Sequence, residues 1–345
     1  MSHAEEVVLV TGPSGYIGAA TALEALKQGY QVKGTVRSQA KADAFVALYP
    51  HAKSMTWVII PDISAPNAFD EAVKGVDHVL HVAAPFHYAS QDLDKDMLEP
   101  SLLGTLNALK AAVKEPRVKR VVITSSFAAI LDVLQGYRPG YTYDDKDWNS
   151  LTWEQVKQIG DPGLAYIAAK TVSETAAWDF VKEHKPNFAL TTICPPLVFG
   201  PPLQPVESMA KLNQSCGEIW HLMDGTLKEP PKTNFPVWVD VRDIAKMHVD
   251  ALSKPQTANE RYQAIAGHFS FAQIAYQIAQ AHPELARAGL VTPSDNSPCP
   301  DHYATDSSKA ERDFGLGWIS FNKCIDDTAA KLLELQKEVG EAAAI

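Results

Sequence analysis

Short runs of aliphatic and β-branched residues alternate with longer helical patterns through the first 195 residues of the chain. The last of the helical patterns has the clearest start, because Asp161 is a good N-cap and Pro162 suits the first helical position. This alternation is typical of an α/β fold with a doubly wound parallel sheet, the Rossmann architecture. Strands are predicted at 7–11, 31–36, 55–60, 78–83, 120–124 and 188–193, and helices at 16–28, 39–48, 66–74, 93–114 and 163–184.

The pattern changes after Pro195, where the chain becomes rich in proline and aromatic residues up to position 239. Farther along, we predict a helix at 241–252, a strand at 261–265, a helix at 271–281 and a loop at 291–304. These patterns predict two domains with an interwoven boundary. They are a Rossmann domain over residues 1–195, to which part of 240–265 returns, and a smaller α/β substrate-binding lobe over residues 196–345.

Composition narrows the class of protein. With 345 residues, of which 46% are hydrophobic, the chain can bury a large core. The net charge of −10, without a Lys/Arg tract, argues against nucleic acid and anionic membranes as partners. No apolar stretch approaches the roughly 20 residues of a membrane span, and the polar start is unlike a signal peptide. The four cysteines show no CxxC spacing and suggest reduced thiols, so we expect a soluble, cytoplasmic protein.

Residues 11–18, with the sequence TGPSGYIG, join the first predicted strand to the first predicted helix. In this setting Gly12 can take a tight turn, Gly15 can let the backbone approach a pyrophosphate, and Gly18 can let the helix pack closely on the strand. The amides at the helix start would then face the phosphates of a dinucleotide. The alternative is a helix entry in which the glycines serve packing alone.

The end of the second predicted strand indicates which dinucleotide is bound. A carboxylate there would bind the ribose 2′-hydroxyl and repel a 2′-phosphate, but no acidic residue occurs from Gly29 to Ala42. Arg37 can form a forked contact with a 2′-phosphate, and Lys41 adds a second positive charge. The pattern therefore predicts NADPH over NADH. The alternative is that both side chains are ordinary solvated charges.

A tyrosine, a lysine and a serine are the candidate catalytic residues. Tyr166 and Lys170 are spaced to share one helical face, and Ser126 follows the fifth strand, whose carboxyl end borders the cofactor crevice. A nicotinamide would deliver hydride to a carbonyl carbon while Tyr166 donates a proton to the oxygen and Ser126 hydrogen-bonds that oxygen. Because free tyrosine has a pKa of about 10, the Lys170 cation would have to lower it. The alternative for Ser126 alone is a capped strand end.

Two other patterns are set aside. A second YxxxK spacing, Tyr49 to Lys53, contains Pro50 at the end of a helical pattern, so its ends should not share a helical face. The acidic residues of 92–96 resemble the start of an EF-hand loop but lack its glycine and terminal glutamate, and no metal site is predicted.

Large apolar side chains that could line a substrate pocket are Phe86, Phe127, Leu131, Trp220 and Trp238.

Taken together, these residues make the chain resemble the extended short-chain dehydrogenases/reductases of the dihydroflavonol-4-reductase-like branch. Within that branch it is most similar to fungal NADPH-dependent carbonyl reductases of the methylglyoxal reductase type. The stretches specific to the branch are 36–38, 61–64, 122–132, 166–178, 194–201 and 238–243. The resemblance covers nearly the whole chain. It implies an enzyme that reduces aldehydes or ketones to chiral alcohols with NADPH, as a monomer or homodimer.

The resemblance also implies roles for individual residues. Ser126, Tyr166 and Lys170 match the catalytic residues, Ser101 stands where many members carry a fourth catalytic residue, an asparagine, and Cys194 replaces another common asparagine. The alternatives are an NAD-dependent nucleotide-sugar epimerase or dehydratase of the same fold, and a non-catalytic dinucleotide sensor. The cofactor contacts implied are Gly12, Pro13, Ser14, Gly15, Tyr16, Ile17, Gly18, Arg37, Lys41, Asp62, Ile63, Ala83, Tyr166, Lys170, Pro195, Val198 and Ser215.

Overall fold

The computed structural model describes residues 3–84 and 92–342, with side chains described through residue 340. Its strands are β1 (Val7–Thr11), β2 (Gln31–Val36), β3 (Thr56–Ile59), β4 (His78–His81), β5 (Arg120–Thr124), β6 (Thr142–Tyr143), β7 (Ala189–Cys194), β8 (Leu197–Phe199), β9 (Val237–Asp240), β10 (Glu260–Gln263), β11 (Gly267–His268) and β12 (Ala304–Thr305). Its α-helices are α1 (Tyr16–Lys27), α2 (Gln39–Leu48), α3 (Glu99–Lys114), α4 (Trp153–Ile159), α5 (Pro162–His184), α6 (Gln214–His221), α7 (Val241–Asp250), α8 (Phe271–Ala281), α9 (Pro283–Arg287), α10 (Ser308–Phe314) and α11 (Phe321–Ala342).

Seven strands form one parallel sheet in the order β10-β7-β5-β4-β1-β2-β3. The strand order reverses beside β1, between β2 on one side and β4 on the other. In doubly wound sheets this switch point opens a crevice beyond the carboxyl ends of the strands, where ligands bind. The predicted Rossmann sheet is confirmed.

The sheet is buried on both faces, as β1 illustrates. Val8 and Val10 belong to one apolar core and Leu9 to another, because successive side chains of a strand point to opposite faces. Helices α1 and α7 cover the first face, and α3 and α5 cover the second. The Gly12 turn and the catalytic helix α5 are thereby held at the edge of the same rigid sheet.

The segment at 66–74, predicted as a helix, is a run of turns instead, and that prediction is wrong. Asn67 takes a φ of 60°, which a right-handed helix cannot contain. The apolar spacing that suggested a helix has another cause, since Phe69 and Val73 are buried in the core under the sheet. The predicted helix at 93–114 begins with a π-helical turn, Asp94–Leu98, before α3.

Among the described residues, two smaller sheets lie outside the main sheet. Strands β8 and β9 pair in parallel and β11 joins β9 antiparallel, while β6 pairs with β12. Strand β10, by contrast, pairs with β7 in the main sheet. The division of the chain at residue 195 stays a prediction. In the described part of the chain, no helix is both long enough and apolar enough to span a membrane.

Candidate active site at the carboxyl edge of the sheet

The turn between β1 and α1 has a conformation that depends on glycine. Gly12 has a φ of 68°, and its carbonyl oxygen accepts the N–H of Gly15 at 3.0 Å. A Cβ on Gly18 would lie 2.1 Å from that same oxygen, so a side chain at position 18 would displace the turn. Pro13 and Ser14 complete the turn.

The start of α1 fits a bound pyrophosphate. Gly15 is the N-cap, no side chain caps the helix, and the first turn holds no acidic residue. The first amides of a helix need acceptors, and an anion supplies them. Tyr16 and Ile17 form the first helical turn, and the Tyr16 hydroxyl donates to the carbonyl of Gly200 at 2.8 Å.

The end of β4 lies against the same turn. Oγ1 of Thr11 accepts the amides of Val82 at 3.0 Å and Ala83 at 2.9 Å. It also lies 3.1 Å from Nδ1 of His81, whose pKa burial lowers to about 3, so the ring is neutral. Sequence reasoning missed Thr11, although a buried threonine directly before the glycine turn was a usable signal.

The two predicted phosphate-binding cations lie beyond β2 but have different surroundings. Hydrogen bonds from Ser64 and, to a lesser extent, the charge of Arg37 lower the pKa of Asp62. Lys41 forms an ion pair with Glu207, with 2.7 Å between Nζ and Oε1. Sequence reasoning missed Glu207, which is distant in the chain.

A buried asparagine holds the turn that contains Ile63. The Asn107 side-chain amide donates to the carbonyls of Ile63 at 3.0 Å and Ala65 at 2.9 Å. Gly104, one turn earlier on α3, leaves room for the Ile63 side chain, because a Cβ there would lie 2.8 Å from its Cδ1. An asparagine in the apolar stripe of a helix was the available sequence signal for Asn107.

The structure brings the three predicted catalytic residues to one region. Ser126 caps the 3-10 turn Phe127–Ala129, and its Oγ accepts the N–H of Ala128 at 3.1 Å. Helix α5 packs against this turn and carries Tyr166 and Lys170, with Lys170 Nζ 5.8 Å from the centre of the tyrosine ring. The predicted N-cap of α5 is present, since Asp161 accepts the N–H of Leu164 at 2.8 Å.

The electrostatics of this region favour a lysine that loses its proton readily. Burial lowers the pKa of Lys170 to about 8, and the nearby Cys194 and Glu174 partly oppose that shift. An ammonium beside a phenol stabilises the phenolate form and so makes the phenol a better acid. At neutral pH Lys170 therefore carries the positive charge that its predicted role needs, and it loses that charge as the pH rises through about 8.

Residues after β7 close the other side of the region. The Pro195 carbonyl accepts the N–H of Phe127 at 2.8 Å. The Ser215 hydroxyl donates to the Val198 carbonyl at 2.6 Å and accepts from the Asn213 side chain at 2.9 Å. The structure thus brings Val198 and Ser215 into contact.

The predicted substrate-pocket residues lie in two apolar clusters. Phe127 and Leu131 pack in one, and Trp220 and Trp238 pack in the other. All four are at most 9% exposed, and Phe86 lies outside the described residues. Their contact with substrate stays a prediction. Ser101, at the position of the expected asparagine, is buried on α3.

The second YxxxK spacing, Tyr49 to Lys53, begins just outside a helix. Helix α2 ends at Leu48, and the Tyr49 hydroxyl donates to the carbonyl of Leu203 at 2.8 Å. Among the described residues, no three histidine, cysteine or acidic side chains are grouped to hold a metal ion. All four cysteines are described and carry free thiols.

Known proteins resemble the chain over nearly its whole length. It is 38% identical to a ketoreductase of Aspergillus niger, covering 97% of this chain and 99% of the relative. It is 30% identical to the NADPH-dependent methylglyoxal reductase of Saccharomyces cerevisiae, covering 96% and 99%. A crystal structure of yeast methylglyoxal/isovaleraldehyde reductase complexed with NADPH superposes with a TM-score of 0.85 at 30% identity, covering 96% and 99%.

The sequence profile of the NAD dependent epimerase/dehydratase family matches residues 8–264. That range includes the glycine turn, the end of β5 and the whole of α5. The chain belongs to the NAD dependent epimerase/dehydratase family.

Proposed function

We propose that the protein is an NADPH-dependent carbonyl reductase that converts aldehydes or ketones to alcohols. The observation that carries the proposal is the placement of Tyr166 and Lys170 on a helix packed against the turn that Ser126 caps. The similarity to a fungal ketoreductase and to a methylglyoxal reductase supports the same chemistry.

The residues at the carboxyl edge of the sheet fit NADPH. When bound, the cofactor supplies hydride to the carbonyl carbon. The glycine turn of 12–18 would hold the pyrophosphate, and Arg37 and Lys41 would hold the 2′-phosphate. Further contacts would come from Asp62, Ile63, Ala83, Pro195, Val198 and Ser215.

Each of the three catalytic side chains has a different role in stabilising or protonating the carbonyl oxygen of the substrate. Tyr166 donates its phenolic proton as negative charge develops on that oxygen. Ser126 has its oxygen engaged by the Ala128 amide, which leaves its hydroxyl proton to donate to the substrate. The ammonium of Lys170 stabilises the tyrosinate that remains.

The cysteines bear on the compartment in which the enzyme acts. All four carry free thiols, which fits a protein of the reducing cytoplasm.

Loss of NADPH absorbance with an α-keto aldehyde tests the proposal directly. We expect wild-type turnover, and we expect Tyr166→Phe to lower kcat by about 100-fold or more, because the proton donor is lost. NADPH affinity, followed by fluorescence titration, should stay within about twofold. An epimerase would not consume NADPH, and a sensor would bind it without turnover. Full turnover by Tyr166→Phe would rule out the assigned acid.

The cofactor assignment has its own test in Arg37→Asp. The new carboxylate would repel a 2′-phosphate and accept a ribose hydroxyl, so the KM for NADPH should rise about tenfold or more while that for NADH falls. Lys27→Asp, which changes the charge of an exposed lysine at the far end of α1, is the matched control. Unchanged constants for both cofactors in Arg37→Asp would contradict the assignment.

A further inference from the structure

We propose that Glu174 and Arg261 are positioning residues whose buried ion pair clamps α5 to the end of β5 and so sets Tyr166 and Lys170 against Ser126. The inference rests on the proposed function, because it explains how the same three side chains are kept in register.

Glu174 lies on the catalytic helix, one turn beyond Lys170 and two turns beyond Tyr166. It is 2% exposed. Its carboxylate accepts the Ser125 hydroxyl at 2.6 Å and the Thr192 hydroxyl at 2.7 Å. Since Ser125 follows β5 and Thr192 lies in β7, these bonds tie the helix to two neighbouring strands of the sheet.

Arg261 completes the clamp from the edge strand β10. Its Nε donates to Oε1 of Glu174 at 2.8 Å and its Nη2 to Oε2 at 3.2 Å, a forked contact. Its Nη2 also donates to the carbonyl of Ala129 at 3.2 Å, and its Nη1 donates to the carbonyls of Asp145 at 2.9 Å and Asp147 at 2.5 Å. The five N–H groups of the guanidinium therefore match five bonds, which a lysine could not reproduce.

The bonds of the clamp flank the catalytic serine. Ser125 precedes Ser126, and Ala129 ends the short turn that Ser126 caps. Both are bonded to the Glu174–Arg261 pair, so the pair fixes the backbone on each side of the catalytic hydroxyl and fixes α5 at the same time. Buried ion pairs add little net stability as a class, whereas small displacements of catalytic groups cost much rate.

The charge of Glu174 also acts on Lys170. Burial alone would raise the pKa of Glu174. The charge of Arg261 and the hydrogen bonds from Arg261, Ser125 and Thr192 instead hold that pKa below its ordinary value. The other described groups that face Lys170 are Tyr166, Cys194 and His81. Burial raises the pKa of the Cys194 thiol and lowers that of His81 to about 3, so both are neutral near pH 7 and Glu174 is the charged neighbour.

Glu174→Gln separates positioning from simple packing, since it keeps the shape and removes the charge. We expect kcat to fall roughly 10- to 100-fold with NADPH affinity within about threefold, because the catalytic groups are displaced while the cofactor cradle is not. The alkaline limb of the kcat profile should move to lower pH by about half a unit, since Lys170 loses its anionic neighbour. Lys309→Met is the control. It removes an ion pair with Glu260 and a bond to the Arg261 carbonyl on the same strand but leaves the clamp. It should keep wild-type kcat and pH limb.

Arg261→Lys is the second variant, because Glu174→Gln leaves a buried arginine without its anion and can unfold. It keeps a cation beside Glu174 but loses the fork, so we expect the same fall in kcat with the alkaline limb at its wild-type pH. Two results would overturn the proposal. One is a wild-type kcat in folded Arg261→Lys. The other is a wild-type kcat in folded Glu174→Gln together with an alkaline limb of the kcat profile that has not moved.

Hydrogen exchange of the apoenzyme gives an answer that does not depend on activity. Faster amide exchange at 125–129 and 164–172 in Arg261→Lys than in Lys309→Met supports the clamp, and equal exchange refutes it. If the wild-type protein reduces no carbonyl compound, the proposed function fails, while the exchange comparison still decides whether the clamp exists.

Discussion

The pKa of Lys170 depends on the protein around it and bears directly on the proposed proton transfer. It is only partly exposed, and the protein around its ammonium lowers its pKa to about 8. Proton donation by Tyr166 leaves a tyrosinate that needs this cation. A lysine with an ordinary pKa would keep its charge at any physiological pH, whereas this one loses it just above neutrality.

The pH dependence of reduction follows from that value. The active form has Lys170 protonated, and the proton is lost as the pH rises through about 8. We therefore expect kcat to be level below about pH 7 and to fall as the pH rises through about 8. A steady-state profile with saturating NADPH measures this. Lys170→Arg, whose guanidinium stays charged, should remove the limb even where the overall rate is lower. An unchanged limb in that variant would assign it to another group.

At the scale of elements, the unit β1–turn–α1 is specified almost entirely by local sequence. The apolar run of β1, the positive φ of Gly12 and the helix start at Tyr16 follow one another within 7–16, so neighbouring residues suffice to predict them. Gly18 adds the one close approach on which the packing of helix and turn depends.

Gly18→Ala tests that approach. A Cβ at position 18 would lie 2.1 Å from the Gly12 oxygen and 2.8 Å from its carbonyl carbon, both backbone atoms. We expect the free energy of unfolding to fall by about 2 kcal/mol and NADPH to bind about tenfold more weakly, because the turn must shift. Denaturant unfolding and fluorescence titration measure the two effects. Gly217→Ala on α6, where a Cβ meets nothing within 4 Å, is the matched helical control and should be slightly stabilising. Equal behaviour of the two variants would show that the turn is not constrained.

Elements were harder to predict where the apolar positions reflect packing in the core and not a regular helix or strand. The segment at 66–74 has apolar spacing because Phe69 and Val73 enter the core, yet Asn67 breaks the helical path. The short strands β8 and β11 escaped prediction, since two or three residues are too few to show a period, and β9 was missed as well. Helix α6 was also missed, in the proline-rich stretch that ends at position 239, and α10 and α11 lie after 304, where no element was predicted.

At the scale of the whole molecule, the segment at 200–207 returns to the first helices of the chain. The Tyr16 hydroxyl donates to the Gly200 carbonyl, the Tyr49 hydroxyl donates to the Leu203 carbonyl, and Lys41 pairs with Glu207. Glu207 also pairs with Lys211, and these two lysines lower its pKa to about 2. The cation predicted to bind a 2′-phosphate is therefore already shared with a carboxylate.

Glu207→Gln should consequently bind NADPH more tightly. Exposed ion pairs are weak and screened by salt, so release of Lys41 should lower the Kd only about two- to fivefold, and by less at high salt. The Kd for NADH should not change. Glu71→Gln, which breaks an exposed pair with Lys74 at 2.6 Å, is the matched control and should alter neither constant. An equal gain for NADH in Glu207→Gln would show that the effect does not act through the 2′-phosphate.

The glycine turn and the spacing of Tyr166 and Lys170 could be predicted from the sequence, because each depends on residues within one or two helical turns of one another. The parallel sheet could be predicted as a class from the repeated alternation of strand and helix patterns over the first 195 residues. Glu174 follows Lys170 at the same interval of four residues, so its position on the same helical face could also have been predicted. The folded structure was needed to find what Glu174 contacts, since Arg261 lies 87 residues away along the chain. It also decided that Lys41 meets Glu207, 166 residues away. Contacts of this kind depend on which strands become neighbours, and local periodicity carries no information about that.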